Sequence, residues 1–312
     1  MNIIVTGSIA YDYLMSFPGS FSEQIIPEQL TRLSLSFLVD DMQKRRGGVA
    51  PNIAYTLAML GERPMIFGTA GQDFGEYRTW LEDKGVDTRF VTQTPNKFTA
   101  SFFCSTDQHS CQIASFYTGA MADDVHLSLK SLPIRPDIVI VSPTEPRAMI
   151  NFARECTEMG VRYIFDPGQK CARSTGEELR AGIAGANVLI CNDYEMELIR
   201  QKTDMNEADV LFHAEAVIVT KGAHGSSIYL KDRRIDVPAV PEDRIVDPTG
   251  VGDAFRGGLL KGLAAGADWE TCGRLGSVAA TFALECVGGQ SHAFTQDEFR
   301  RRYEVNFGPM PI

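Results

Sequence analysis

Short apolar runs within residues 2–7, 64–71, 137–141, 162–166, 188–191 and 216–220 limit how this chain can fold more than any other feature. A strand with one wet face alternates apolar and polar side chains, whereas a run without alternation needs a covering layer on both faces. Helix-length segments separate most of the runs, and parallel neighbours require crossovers of that length. The pattern predicts an α/β fold, a doubly wound, mainly parallel sheet flanked by helices. With 312 residues, 44% of them apolar, the chain can close one large core, and residues 1–312 are expected to form a single domain.

One helix is marked by its ends: Pro51 suits a first turn, Ile53, Leu57 and Leu60 recur on one face, and Gly61 stops the run. Two stretches break the alternation. Residues 34–46 and 98–118 read as hairpin-like strands inserted between α/β units, and they predict a small β-sheet lid formed by about 12–46 and 97–118. Phe98, Phe102, Phe103, Ile113, Phe116 and Tyr117 make this lid rich in apolar rings, which suits either a planar ligand beneath it or a lid-to-lid homodimer contact.

A net charge of −10 argues against a nucleic-acid partner, because phosphate binding needs clustered Lys and Arg, and the clusters at 44–46 and 300–302 are short. No apolar stretch reaches the ~18–20 residues of a membrane helix. The chain opens on a strand-like run rather than a basic and apolar leader, so no membrane partner and a cytoplasmic location are expected. Seven cysteines without C-x-x-C spacing read as reduced, small apolar side chains.

The chemistry concentrates at Asp247-Pro248-Thr249-Gly250-Val251-Gly252-Asp253-Ala254-Phe255. Gly250 and Gly252 let the backbone turn tightly, so that peptide N–H groups converge on one anion with the positive end of the next helix behind them. Asp253, among those donors, is placed to accept a proton from an attacking hydroxyl. An isolated G-x-G-D would equally describe a glycine turn and an Asp cap. No G-x-x-x-x-G-K-[ST] occurs, so any phosphate cradle must come from Gly250, Val251, Gly252 and Asp253 themselves.

The nonapeptide resembles the C-terminal signature of the PfkB (ribokinase-like) family of sugar and nucleoside kinases. Residues 47–61, a Gly47-Gly48 pair followed by an Asn52-bearing helix, resemble the family's N-terminal signature. The resemblance implies an ATP-dependent phosphotransferase with magnesium, Asp253 as base and the Gly250–Asp253 amides as anion hole. It implies that Asn192 and Glu195, which match the family's N-x-x-E motif, help place magnesium and phosphate through waters; alone they describe an ordinary helix start. Thr220, Lys221, Gly222 and Gly225 would form a loop crossing the nucleotide phosphates. Asp247 would either help hold a monovalent cation such as K+ or buttress the turn.

On the acceptor side the resemblance places Asp12 on the vicinal hydroxyls of a ribose, where a carboxylate accepts two hydrogen bonds at once. Gly48 would let the sugar approach the backbone, and Asn52 would offer a donor and an acceptor. Residues 5–15, 33–41 and 112–117 are similar to the bacterial adenosine-kinase branch of the family, which implies that Ser8, Ser36, Phe102 and Phe116 join a nucleoside pocket. At Asp166-Pro167-Gly168-Gln169-Lys170 the chain departs from that branch, which carries a Ser and two Gln after Asp-Pro, so Gln169 and Lys170 are expected to alter base selectivity. The expected reaction is transfer of the ATP γ-phosphoryl group to the 5′-hydroxyl of adenosine. A kinase for ribose or fructose, and a nucleoside-binding protein without catalysis, are the alternatives.

Overall fold

The computed structural model describes residues 1–26, 31–32 and 34–312. Its strands are β1 (Ile3–Thr6), β2 (Ala10–Ser16), β3 (Asp41–Gly47), β4 (Met65–Ala70), β5 (Val91–Gln93), β6 (Ala100–Thr106), β7 (Gln112–Tyr117), β8 (Ile138–Val141), β9 (Arg162–Phe165), β10 (Val188–Asn192), β11 (Ala216–Thr220), β12 (Ser226–Tyr229) and β13 (Arg234–Val237). Nine of them form one sheet in the order β13-β12-β11-β10-β9-β8-β1-β4-β5. All neighbours from β5 to β11 are parallel, and β12 and β13 extend the edge antiparallel. Each predicted apolar run lies on one of these strands, and the expected doubly wound, mainly parallel sheet is present.

The burial pattern shows why the runs lack alternation. Ile3, Val5, Ile138, Ile140, Ile164, Ile190 and Ile218 face one core layer, packed against Ile53, Leu57, Leu259 and Leu260. Ile4, Val139, Val141, Phe165, Leu189 and Val217 face the other, packed against Phe152, Leu179 and Ile199. The helices Val49–Met59, Val251–Ala264 and Trp269–Leu284 cover the first face, and Pro146–Met159, Gly176–Ile183 and Asp193–Thr203 cover the second. Among the described residues, no helix is long and apolar enough to cross a membrane.

A second, four-stranded sheet runs in the order β3-β2-β6-β7. Residues 98–118 do form a hairpin, with β6 antiparallel to β7. Residues 34–46 do not. Only Asp41–Gly47 is extended, and it pairs antiparallel with β2, which begins at Ala10 and so ahead of the expected boundary at 12. β2 also pairs parallel with β6, tying the two inserted segments together. The expected lid span includes residues 27–30 and 33, which lie outside the described residues.

Candidate active site

Open α/β sheets bind ligands beyond the carboxyl ends of their parallel strands. In this sheet Thr6, Val141 and Phe165 stand side by side, so Ser8, Ser142 and Asp166 emerge at one edge, with Asn192 and Thr220 paired at the ends of β10 and β11. The helix Val251–Ala264 starts beside that edge.

Gly250 caps this helix in the left-handed conformation, φ 78° and ψ 0°. A Cβ at Gly250 would lie 2.5 Å from the Gly289 Cα, so the turn admits no side chain there. Ala254 is the residue whose N–H opens the helical ladder, bonding to Gly250 O at 2.8 Å; the Gly252 and Asp253 amides precede it and have no acceptor within the helix. Val251 N–H donates to Pro248 O at 3.4 Å, so one of the four amides expected to face an anion is partly spent inside the turn.

Asp247 braces this turn. Its carboxylate accepts from Thr249 N and Gly288 N, both at 2.9 Å, and faces the Arg45 guanidinium at 3.6 Å. These donors hold its pKa below the usual carboxylate value despite partial burial. A carboxylate holding two N–H donors of the turn suits the buttress reading.

Asp253 is half-buried, and its carboxyl points into the molecule, where Asn52 Nδ2 donates to its Oδ2 at 2.8 Å. Burial pushes its pKa up to about 7, against the lowering from the Asn52 hydrogen bond and from Arg256; Asp166 adds a further rise. An acid with that value can both accept and release a proton near neutrality. Beneath it, Arg256 grips the Asp166 carboxylate with Nε and Nη2 and donates through Nη1 to Gly252 O at 3.0 Å, while Ser142 Oγ donates to Asp166 at 2.9 Å. This pair is almost wholly buried, so removing one partner strands a charge at a cost of about 3–5 kcal/mol. Asp166→Ala is therefore expected to lower unfolding free energy by that amount in urea titration, and a loss under about 1 kcal/mol would contradict a structural role for the pair.

On the acceptor side, Gly48 has φ 93°, and a Cβ there would fall 2.4 Å from Ser8 O. Ser8 Oγ accepts from Val49 N at 3.2 Å, which joins the β1 exit to the start of the Asn52 helix. Arg45, Asp12, Phe102 and Phe116 are register partners in adjacent strands and therefore share one face of the small sheet. Burial pushes the Asp12 carboxyl up to about 6, with Arg45 opposing and Asp247 adding to the rise. Phe103, Ile113 and Tyr117 lie on the opposite face, and these three and Phe116 are all exposed.

On the far side of Asp253, Asn192 and Glu195 form a reciprocal capping box: Glu195 N donates to Asn192 Oδ1 at 2.7 Å and Asn192 N to Glu195 Oε2 at 2.8 Å. Glu195 is buried, and burial, helped by Asp166, raises its pKa against the Asn192 bond. Thr220 Oγ1 donates to Cys191 O at 3.5 Å, and Lys221 Nζ donates to Ser227 Oγ. Gly222 lies in open space, while a Cβ at Gly225 would meet Val237 O at 2.1 Å. Gln169 is exposed on the turn after Asp166. Ser36 lies in an exposed, irregular stretch, and its neighbour Phe37 packs on Phe17 and Phe21.

Residues 9–296 match the family model described as pfkB family carbohydrate kinase. The chain belongs to the pfkB family. Its fold is the ribokinase-like α/β fold, and it is a phosphotransferase with an alcohol group as acceptor. Among solved structures, the nucleoside kinase of Burkholderia thailandensis in complex with inosine is 37% identical with a TM-score of 0.88, covering 99% of each chain. The same kinase in complex with ADP-inosine is 38% identical with a TM-score of 0.86, covering 99% of this chain and 97% of that one. A nucleoside kinase of Methanocaldococcus jannaschii is 29% identical over 304 residues, 97% of this chain and 96% of that protein.

Several members of this candidate site carry weak sequence signals. Gln290 bonds to Asn52 Oδ1 at 2.9 Å across 238 positions, and Gly289 is pressed against the Asn52 amide, where a Cβ would lie 2.5 Å away. The Gly288-Gly289-Gln290 run after the long helix was the available hint. Arg256, four residues after Gly252, reads from sequence as an ordinary helical arginine.

Proposed function

We propose that this pfkB-family kinase transfers the γ-phosphoryl group of ATP to the 5′-hydroxyl of a purine nucleoside, with adenosine as acceptor. The observation that carries the reading is the Asp253–Asn52 contact beneath two amides left outside the helical ladder, because it sets a base, an acceptor-side donor and an anion site together. Asp253 takes the hydroxyl proton as the acceptor oxygen bonds to phosphorus, and the β–γ bridging oxygen leaves with its electron pair as ADP. The Gly250, Gly252 and Asp253 amides, with a weaker share from Val251, hold the charge on the phosphoryl oxygens in flight.

Asp12 accepts from the ribose diol, with Ser8, Gly48 and Asn52 along the sugar and Phe102 and Phe116 against the purine. Ser36 and Gln169, both exposed, complete the base side. The small sheet acts as a lid that excludes water, and its other face, with Phe103, Ile113 and Tyr117 exposed, supports a lid-to-lid homodimer. Thr220, Lys221, Gly222 and Gly225 border the nucleotide.

Magnesium suits a site with Glu195 as its nearby carboxylate, because Mg2+ commonly takes one or two carboxylates plus phosphates and waters. Glu195, anchored by one oxygen and crowded by Asp166, is the carboxylate that would hold it through water. When bound, the ion neutralises the β- and γ-phosphate charge. Asp247 serves the turn.

Comparing kcat/KM for adenosine, inosine, guanosine, cytidine, ribose and fructose at saturating Mg-ATP tests the reading. A purine nucleoside is expected to exceed both sugars by at least about 10², the scale on which pocket contacts discriminate. A sugar that beats every nucleoside would overturn it. Inosine in place of adenosine is the second reading, favoured by the inosine complex of the Burkholderia relative.

A further inference from the structure

We propose that Gln290 is a positioning residue for transfer, fixing through its side-chain amide which end of the Asn52 amide faces Asp253. The inference deepens the proposed function and rests on Asp253 as base. A single line of hydrogen bonds crosses the site. Asp253 Oδ2 accepts from Asn52 Nδ2 at 2.8 Å, Asn52 Oδ1 accepts from Gln290 Nε2 at 2.9 Å, Gln290 Nε2 also donates to Tyr77 Oη, and Tyr77 Oη donates to Gly47 O at 2.8 Å.

The two ends dictate the polarity of that line. A carboxylate and a peptide carbonyl are acceptors only. With Asp253 ionised, Asn52 must present its NH2 to it and its oxygen to Gln290. With its one hydrogen on Gly47 O, Tyr77 Oη can only accept from Gln290. Gln290 therefore offers both amide hydrogens, one to each neighbour, and no other polar side chain of its length does this without a net charge. The side chain is 7% exposed, and its Oε1 has no hydrogen-bond partner among the described residues, an orientation that costs free energy unless both N–H groups are needed. Gly289 packs on the Asn52 amide from the same loop, and Asp247 ties that loop to the catalytic turn through Gly288 N.

The line joins five separate elements: the end of β3, the helix Gly75–Asp83, the loop after Trp269–Leu284, the helix Val49–Met59 and the helix Val251–Ala264. Asn52 is thus aimed before any acceptor arrives. An Asn52 turned end for end would set a carbonyl oxygen against the Asp253 carboxylate, raising the cost of its ionised form and removing a donor from the acceptor side. The charged groups that also face Asp253 are Arg256 from its own helix and Asp166 from the end of β9, and neither touches Gln290.

Gln290→Glu tests this, because its carboxylate sets acceptors against Asn52 Oδ1 and Tyr77 Oη and favours the turned amide. The folded variant is expected to lose about tenfold or more in kcat at pH 7 and to shift the rising limb of its pH profile toward alkaline pH by about one unit, with KM for ATP unchanged. In an Asn52→Ala background, Gln290→Met is expected to lower kcat no further, since the group it orients is gone. A wild-type limb in folded Gln290→Glu, or a full additive loss in the double variant, overturns the proposal. Should Gln290→Glu fail to fold, Tyr77→Phe removes the acceptor of one Gln290 hydrogen, and the same alkaline shift or its absence decides. Wild-type turnover in Asp253→Asn would overturn the base reading and this proposal with it. An inactive Asp253→Asn beside an unshifted Gln290→Glu would overturn the positioning role alone.

Discussion

Asp253→Asn lowers kcat by about 10² to 10⁴ while leaving acceptor affinity nearly unchanged, because the amide keeps the size and polarity of the side chain but cannot take the hydroxyl proton. Asp253 has its carboxyl pKa pushed up to about 7 by burial, so the base form is the minority below that pH and the majority above it. Wild-type kcat/KM for the acceptor is accordingly expected to rise with unit slope through about pH 7 and level off above, and the Asn variant to lack that limb. Steady-state rates from pH 5.5 to 9 with calorimetry of acceptor binding check both parts. Turnover at the wild-type level in a folded Asp253→Asn protein would remove the base from the mechanism.

Gly250→Ala should be nearly as damaging for a different reason. The residue is left-handed with φ 78°, a conformation that costs an ordinary residue about 1–2 kcal/mol, and its new methyl group would sit 2.5 Å from the Gly289 Cα. The turn must open, and with it the aim of the amides that follow. Loss of one such donor typically costs about 10² to 10³ in kcat. A Cβ at Gly252 would meet only the end of the Arg256 side chain at 3.1 Å, so Gly252→Ala should lose less. If both variants turned over alike, the left-handed cap would not be what shapes the anion site.

The large sheet was legible because its strands have two dry faces, and an unbroken apolar run such as Val139-Ile140-Val141 has no other stable use. The Gly250 turn was legible for a local reason, since its left-handed conformation is carried by adjacent letters. Hidden features depend on partners far apart in the chain. The pairing of β3 with β2 rather than with itself is settled by packing, not by any turn signal between residues 34 and 46. Gln290 meets Asn52 and Tyr77, and Arg256 meets Asp166, only after the sheet has closed. Val251 and Asp247 show the remaining limit: the motif names these residues, but only coordinates show that turn contacts already use one N–H and both carboxylate oxygens.

Product analysis tests the proposed reaction most directly. Purified protein incubated with Mg-ATP and adenosine or inosine, followed by 31P NMR and mass analysis, should yield ADP and the nucleoside 5′-monophosphate in equal amounts, with both formed about 10² to 10⁴ times more slowly by Asp253→Asn. ADP released without a nucleoside monophosphate, or phosphate appearing on free ribose or fructose in preference to the nucleosides, would contradict it.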